Sequence, residues 1–315
     1  MGIITKLGIG KAKTRKAAHQ DVEETGSNQD FEFELSRVGP YQIQSPIGSG
    51  GMGTVYKALD PARDVTVAIK VLDRRYDLDK KKSKQDYLGR EILIAASLNH
   101  PAVIKMDKEI IIQEDHEGNF RRCLVMEFID GYNLKHFIDN RILSIQEMTD
   151  MTIRLAEGLD FLHQNGVVHR DIKPANFLIS RDRSQIKICD FGLSKSSATW
   201  RTRWLKEGGG TRLYMSPEQL RKKTLDARSD IFSFGITIYE LFTGRHPCNG
   251  NTPREIQKQL LSSRYRIPAP SSVNPEVPQR MDRVILKALR RKLEARYQSC
   301  TEMLLDITRV SGSRI

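Results

Sequence analysis

The chain has 315 residues, of which 39% are hydrophobic and 29% charged, with a formal net charge of +12. This length and apolar share allow a sizeable core in one two-lobed domain or two ordinary ones, which excludes a disordered chain, and no run approaches the roughly eighteen apolar residues of a membrane span. The basic excess suits acidic protein, nucleic-acid or anionic membrane partners, yet no zinc-knuckle spacing or aromatic-basic RNA-binding signature accompanies it.

Residues 1–38 read as a flexible basic tail. Lys6, Lys11, Lys13, Arg15 and Lys16 come before Asp21, Glu23 and Glu24, and Gly8 and Gly10 oppose a stable helix. Ile3, Ile4 and Leu7 allow a weak peripheral contact with a membrane. Met1-Gly2 invites N-terminal acylation, but Lys6 stands where that pattern needs Ser or Thr. Order is expected from about residue 41, with a strand over 41–46. Gly48-Ser49-Gly50-Gly51-Met52-Gly53 follows, then Thr54-Val55-Tyr56. A G-x-G-x-x-G alone is a weak signal, because dinucleotide-binding folds place it before a helix. Here β-branched and aromatic residues continue it as a strand. Glycines between two antiparallel strands let backbone N–H groups approach phosphates without a Cβ in the way.

The next strand, over 67–72, carries Lys70 among apolar neighbours, where an ammonium is costly unless paired. A helix over 87–98 offers Glu91 as its partner. Lys80, Lys81 and Lys82 read as a solvated loop before it. Segments 110–113 and 121–126 read as a hairpin. Residues 144–165 read as one long helix, with Ser144 as N-cap and Met148, Met151, Leu155, Leu159 and Leu162 on its apolar side.

That helix runs into His169-Arg170-Asp171-Ile172-Lys173-Pro174-Ala175-Asn176. Two short apolar runs then form a tight hairpin that ends in Asp190-Phe191-Gly192. The loop and hairpin bring Asp171, Lys173, Asn176 and Asp190 close together. Two carboxylates and an amide oxygen suit Mg²⁺, a hard cation that takes oxygen ligands and phosphates. Asp171 is left to orient a hydroxyl and accept its proton. Residues 194–210 have no apolar periodicity and mix hydroxyls with basic side chains. Everything after them reads as helical. The four cysteines, Cys123, Cys189, Cys248 and Cys300, fit no C-x-x-C spacing and read as reduced thiols, so a cytoplasmic location is expected.

Taken together these motifs resemble those of the eukaryotic-type protein kinases. The loop matches H-R-D-L-x-x-x-N with Ile172 for Leu, and D-F-G follows. Residues 48–55 match G-x-G-x-x-G-x-V, and 67–70 read V-A-I-K. Met215-Ser216-Pro217-Glu218-Gln219 stands for A-P-E, with Ser216 a departure. Asp230-Ile231-Phe232-Ser233-Phe234-Gly235 resembles D-x-W-S-x-G, with Phe232 for Trp. The likeness spans about 41–310, and its wording is most similar to bacterial-type Ser/Thr kinases.

The resemblance implies a bilobal α+β fold within a domain over 39–310, followed by a tail over 311–315. An N-lobe over 41–129 would hold an antiparallel sheet and one main helix, and a C-lobe over 130–310 would be mainly helical. It implies transfer of the γ-phosphoryl group of ATP to Ser or Thr hydroxyls of protein substrates, with Mg²⁺, or Mn²⁺ in its place. By position Asp171, Lys173, Lys70 and Glu91 are catalytic, and Asn176 and Asp190 hold the metal. The ATP pocket would be lined by Gly48, Ser49, Gly50, Gly51, Met52, Gly53, Val55, Ala68, Lys70, Met126, Glu127, Ile129 and Leu178. Backbone groups of Glu127 and Ile129 would meet the adenine edge. Asn133 stands where many members place an acidic residue near the ribose. Arg170 would bind a phosphate on the activation segment, with Thr202 the first choice of site and Thr199, Ser197 and Ser196 behind it. Thr211 would contact the catalytic loop, Asp230 would support it, and Arg296 would pair with Glu218. Two alternatives stay open at this point: a pseudokinase acting as a binding module, and a kinase for a small-molecule hydroxyl. Lys70, Asp171 and Asp190 argue against the first. The glycine loop and the Ser216-Pro217-Glu218 segment argue against the second.

Overall fold

A computed structural model of the chain describes residues 36–73, 87–115, 118–191 and 211–311. The first part is β-rich. Strands β1 (Arg37–Val38), β2 (Tyr41–Gly50), β3 (Gly53–Asp60), β4 (Val65–Leu72), β5 (Met106–Glu114) and β6 (Phe120–Glu127) form one antiparallel sheet. Their order is β1-β2-β3-β4-β6-β5. Alternation sets the faces: on β3, Tyr56, Ala58 and Asp60 point inward. On β4 every residue from Val67 to Leu72 is buried, as expected of a central strand covered on both faces. Gly53 closes the β2–β3 turn with φ +138°, and a Cβ there would lie 2.0 Å from Val71 O, so only glycine fits.

The sheet begins earlier than the sequence pattern indicates. Arg37 and Val38 pair with Gln42 and Tyr41 across a turn in which Gly39 has φ +51°. Val38 is fully buried, and two residues are too few to show a period. Helix α1 (Tyr87–Ser97) packs on β5, with Ile92, Ala95 and Ala96 inward at i, i+3 and i+4.

A second sheet, β7 (Gly131–Asn133), β8 (Phe177–Ser180) and β9 (Ile186–Ile188), is antiparallel in that order. Ile104 N–H donates to Ile188 O at 2.9 Å, and Ile188 N–H to Ala102 O at 2.8 Å, which ties this hairpin to the segment entering β5. The remainder is helical: α2 (Leu134–Asn140), α3 (Ile145–Gln164), α4 (Pro217–Leu220), α5 (Ala227–Thr243), α6 (Pro253–Leu261), α7 (Pro270–Val273), α8 (Gln279–Ala288) and α9 (Cys300–Ser311). Ser144 caps α3 in a reciprocal capping box with Glu147. Gly158 lets α3 approach Ala102, whose Cβ would be 2.9 Å from an added Cβ. Helix α5 is buried on all sides from Ser229 to Thr243 and is the axis of the helical part. One apolar cluster runs from Leu72 and Ile92 of the sheet side to Ile285 and Ile307 of the helices. Each fully buried Leu, Ile or Phe in it contributes about 1.5–3 kcal/mol. The result is a bilobal α+β fold.

Candidate active site

The loop between α3 and β8 is held from below by α5. Asp230, in the first turn of that helix, is almost wholly buried. Its Oδ1 accepts Arg170 N–H at 2.7 Å. Its Oδ2 accepts His169 N–H at 2.7 Å and lies 2.9 Å from His163 Nε2. Arg170 sits at φ +67° and Asp190 at φ +63°, a conformation that costs a non-glycine residue about 1–2 kcal/mol. Both peptide groups of Arg170 are pinned by buried side chains: Asp230 takes the N–H, and Gln219 Nε2 donates to its carbonyl at 2.8 Å. Gln219 is itself fixed, because its Oε1 accepts Ser216 N–H at 2.9 Å in the capping box of α4.

His169 is fully buried. Asp171 N–H donates to its Nδ1 at 3.3 Å, so the ring proton is on Nε2 and goes to Cys189 O at 2.9 Å. Asp171 Oδ2 is 3.1 Å from Lys173 Nζ and 2.9 Å from Asn176 Nδ2. Asn176 Nδ2 also donates to Asp171 O at 2.7 Å. Both of its partners are acceptors, which fixes the amide orientation and leaves Asn176 Oδ1 with no donor among the described residues. Cys189 N–H and Sγ both approach Asn176 O, at 2.9 and 3.3 Å, closing the loop onto the next strand end. Phe191 is buried, edge-on to His169.

The sheet closes the site from above. Lys70 is 3% exposed, and its Nζ lies 2.6 Å from Asp190 Oδ1. The expected pair with Glu91 is not formed: among the described residues the ion-pair partner of Lys70 is Asp190. Glu91 lies half-buried on α1 and makes other contacts. An ammonium buried to this degree takes whichever carboxylate packing brings within reach. Gly48 and Gly50 have nothing within 4 Å of an added Cβ, so the protein itself does not demand glycine there. That open space over the cleft suits a phosphate chain. Met52, in the same loop, turns inward and is 4% exposed.

At the segment joining the lobes, Ile129 N–H and C=O have no partner among the described residues, which leaves an edge for a heterocycle. Met126 and Leu178 are half-buried against the core beside it. Glu127 N–H donates to Lys105 O at 2.9 Å, and its carboxylate accepts from Lys105 N–H at 2.6 Å and Lys187 Nζ at 2.8 Å. Asn133 is engaged elsewhere: its side chain caps α2, accepting His136 N–H at 3.1 Å. No cluster of three or more His, Cys, Asp or Glu is present among the described residues. The Asp190 carboxylate and the Asn176 amide oxygen fit a cation that shares its shell with phosphates.

The family model for the protein kinase domain matches residues 41–306. The chain belongs to the protein kinase family. It is similar to a probable serine/threonine-protein kinase of Streptomyces coelicolor, 38% identical over 85% of this chain and 39% of that one. It is 35% identical to the serine/threonine-protein kinase PknB of Mycobacterium tuberculosis, over 86% of this chain and 42% of that one. The chain thus spans about two fifths of the length of the curated relatives it matches. Among solved structures, the PknI kinase domain of M. tuberculosis aligns with a TM-score of 0.63 at 24% identity, covering 87% of this chain and 97% of that one. At that identity the likeness concerns the fold.

Use of ATP and of a divalent metal follows from membership of this family. The kinase fold brings Lys70, Asp171, Lys173, Asn176 and Asp190 together and leaves Glu91 outside that group. Glu218 and Arg296 form a buried bidentate pair, 2.7 Å at both contacts. The hydroxyls Ser196, Ser197, Thr199 and Thr202 lie outside the described residues, as does the tail over 1–35. Three residues that support the site, Gln219 and His163 at the loop and Lys187 at the joining segment, have roles that the matched family motifs do not announce. Gln219 carries one usable signal, the Ser216-x-x-Gln219 capping pattern. His163 and Lys187 carry none, because their partners lie far away in sequence.

Proposed function

We propose that this chain is a protein Ser/Thr kinase domain that transfers the γ-phosphoryl group of ATP to protein hydroxyls. The observation that carries this is the convergence of Lys70 on Asp190 at 2.6 Å beside the Asp171, Lys173 and Asn176 cluster. ATP would supply the γ-phosphoryl group, and Mg²⁺, or Mn²⁺ in its place, would offset the phosphate charge when held here. Asp190 and Asn176 Oδ1 are the metal-holding groups. Lys70 is placed to leave Asp190 for the α/β-phosphates. Asp171 orients the acceptor hydroxyl and takes its proton, and Lys173 offsets the charge that develops. The loop of Gly48, Gly50 and Gly51 covers the phosphates, and the free Ile129 edge meets adenine, with Val55, Ala68, Met126 and Leu178 around it.

Lys173, two residues after Asp171, supports Ser/Thr over Tyr acceptors. Among the described residues no helix is long and apolar enough to cross a membrane, and with reduced cysteines this supports a cytoplasmic site of action. The test is incorporation of γ-labelled phosphate into a generic basic protein and into the chain itself, followed by site mapping. Asp190→Asn is the control, since Asn tolerates the left-handed backbone at that position. Transfer should fall by about 10²-fold or more while circular dichroism stays that of the folded domain. Label on tyrosine alone, or activity in the variant within a few-fold of wild type, would sink the assignment.

A further inference from the structure

We propose that the exposed basic face made by α6, the turn leaving it and the residues after α4 docks an acidic stretch of the protein substrate. This rests on the kinase reading above and names the substrate class for that site. Arg254 and Lys258 stand at i and i+4 on α6 and share one face. Ile256 and Leu260, two positions on from each, turn to the other side and are buried. Arg221 follows α4 and reaches across, with Nη2 3.4 Å from Leu261 O. Lys223, Arg264 and Arg266 are exposed around them. Among the described residues none of these six side chains makes an ion pair. Two acids occur in the same stretches. Glu218 is buried on Arg296, and Glu255 accepts Asn251 N–H at 2.9 Å. The face thus carries six cations against the one exposed carboxylate of Glu255, and its net charge is positive.

Its place decides what it can do. Helix α6 packs on the 211–214 turn and on α4, and Gln219 of α4 holds the carbonyl next to Asp171. The 211–214 turn is anchored in its own right. Tyr214 OH donates to Glu240 at 2.5 Å, and His246 Nε2 lies 3.0 Å from Leu213 O. A chain lying on α6 is thus led along a fixed edge towards the acceptor position. Nine residues of helix span about 13 Å, which an extended peptide covers with about four residues. No large hydrophobic side chain of the 211–270 region is exposed. The face therefore offers no exposed ring for base stacking and no exposed apolar wedge for a lipid surface, which favours the carboxylates of a protein partner.

The full chain should be titrated with two labelled peptides, each with one threonine flanked by glutamates or by glutamines. Phosphotransfer to the same pair is measured in parallel. The glutamate peptide is expected to bind about 10-fold tighter at low salt, with a correspondingly lower KM, and the difference should fade as salt rises. In Arg254→Glu, Lys258→Glu the ratio between the two peptides should approach one. The wild-type comparison stands without the variant, should that misfold. Equal binding of both peptides by wild type overturns the proposal, as does tighter binding of a single-stranded oligonucleotide of equal charge. Selective binding of the glutamate peptide without any phosphotransfer supports the docking face and sinks the kinase reading. Transfer to both peptides alike does the reverse.

Discussion

Lys70 and Asp190 are the residues on which the proposed chemistry turns, and their contact is the one the packing chose. A buried ammonium with Asp190 as its carboxylate partner among the described residues predicts strong coupling. A double-mutant cycle on stability with Lys70→Met and Asp190→Asn should give an interaction of about 0.5–3 kcal/mol. The parallel cycle with Glu91→Gln should be near zero in the absence of nucleotide. The reverse ranking, read from denaturant midpoints, would mean that Lys70 pairs with Glu91 in solution. Cys189 gives a second prediction at this scale. Its thiol points at Asn176 O, and burial, followed by the neighbouring Asp190 charge, pushes its pKa up. The thiolate is the reacting form, so alkylation at neutral pH should be slow and should quicken as pH rises. ATP with Mg²⁺ should slow it further. Fast labelling at neutral pH, or equal labelling with and without nucleotide by peptide mass, would contradict the placement.

Between elements, the pair that matters most is Glu218 of α4 with Arg296. The guanidinium also donates to the carbonyl of Arg228 at 2.9 Å and lies over the Phe232 ring. Burial pushes the Glu218 carboxyl up, but bonds from Arg296 and Ser229 outweigh this and hold it below the usual value. A depressed folded pKa contributes stability above the unfolded value of about 4.3, and that contribution is lost as pH falls through the folded value. Arg296→Met should cost about 3–5 kcal/mol, because it leaves Glu218 buried and unpaired. The variant should also keep more of its remaining stability between about pH 5 and 3 than wild type does. Parallel melting curves of the two proteins across that range would remove the pair from the account. Because α4 also carries Gln219, loosening it should disturb the backbone beside Asp171.

At the scale of the whole molecule, one apolar cluster joins sheet and helices, and Glu127 with Lys187 bridges the joining segment to β9. The hydroxyls of 194–210 sit among basic residues, and Arg170 precedes Asp171. A phosphate there adds a charge of about −1.5 to −2 and new charge-assisted hydrogen bonds. Protein co-expressed with a phosphatase should therefore gain activity on incubation with ATP. Thr199→Ala with Thr202→Ala should remove most of that gain. An unphosphorylated enzyme that is already fully active would end the switch while leaving the kinase fold in place.

The sequence by itself determined most of the elements and their order, though not β1, β7 or α2. The β4 apolar run, the Ser144 capping box and the α3 periodicity are local, set by hydrogen bonds and side-chain spacing within a few residues. The loop motif also placed Asp171, Lys173, Asn176 and Asp190 together, because a short hairpin leaves little freedom between them. Tertiary structure decided the rest. Lys70 could reach a carboxylate on α1 or one beyond β9, and how α1 lies on the sheet selects between them. Asn133 could face a ligand or cap α2, and the cap won because His136 N–H needs an acceptor. Val38 shows no pattern until Tyr41 pairs beside it. Gln219 and His163 become supports of the catalytic loop only when α4 and α5 pack beneath it. Contacts between residues dozens of positions apart depend on packing that no local period encodes.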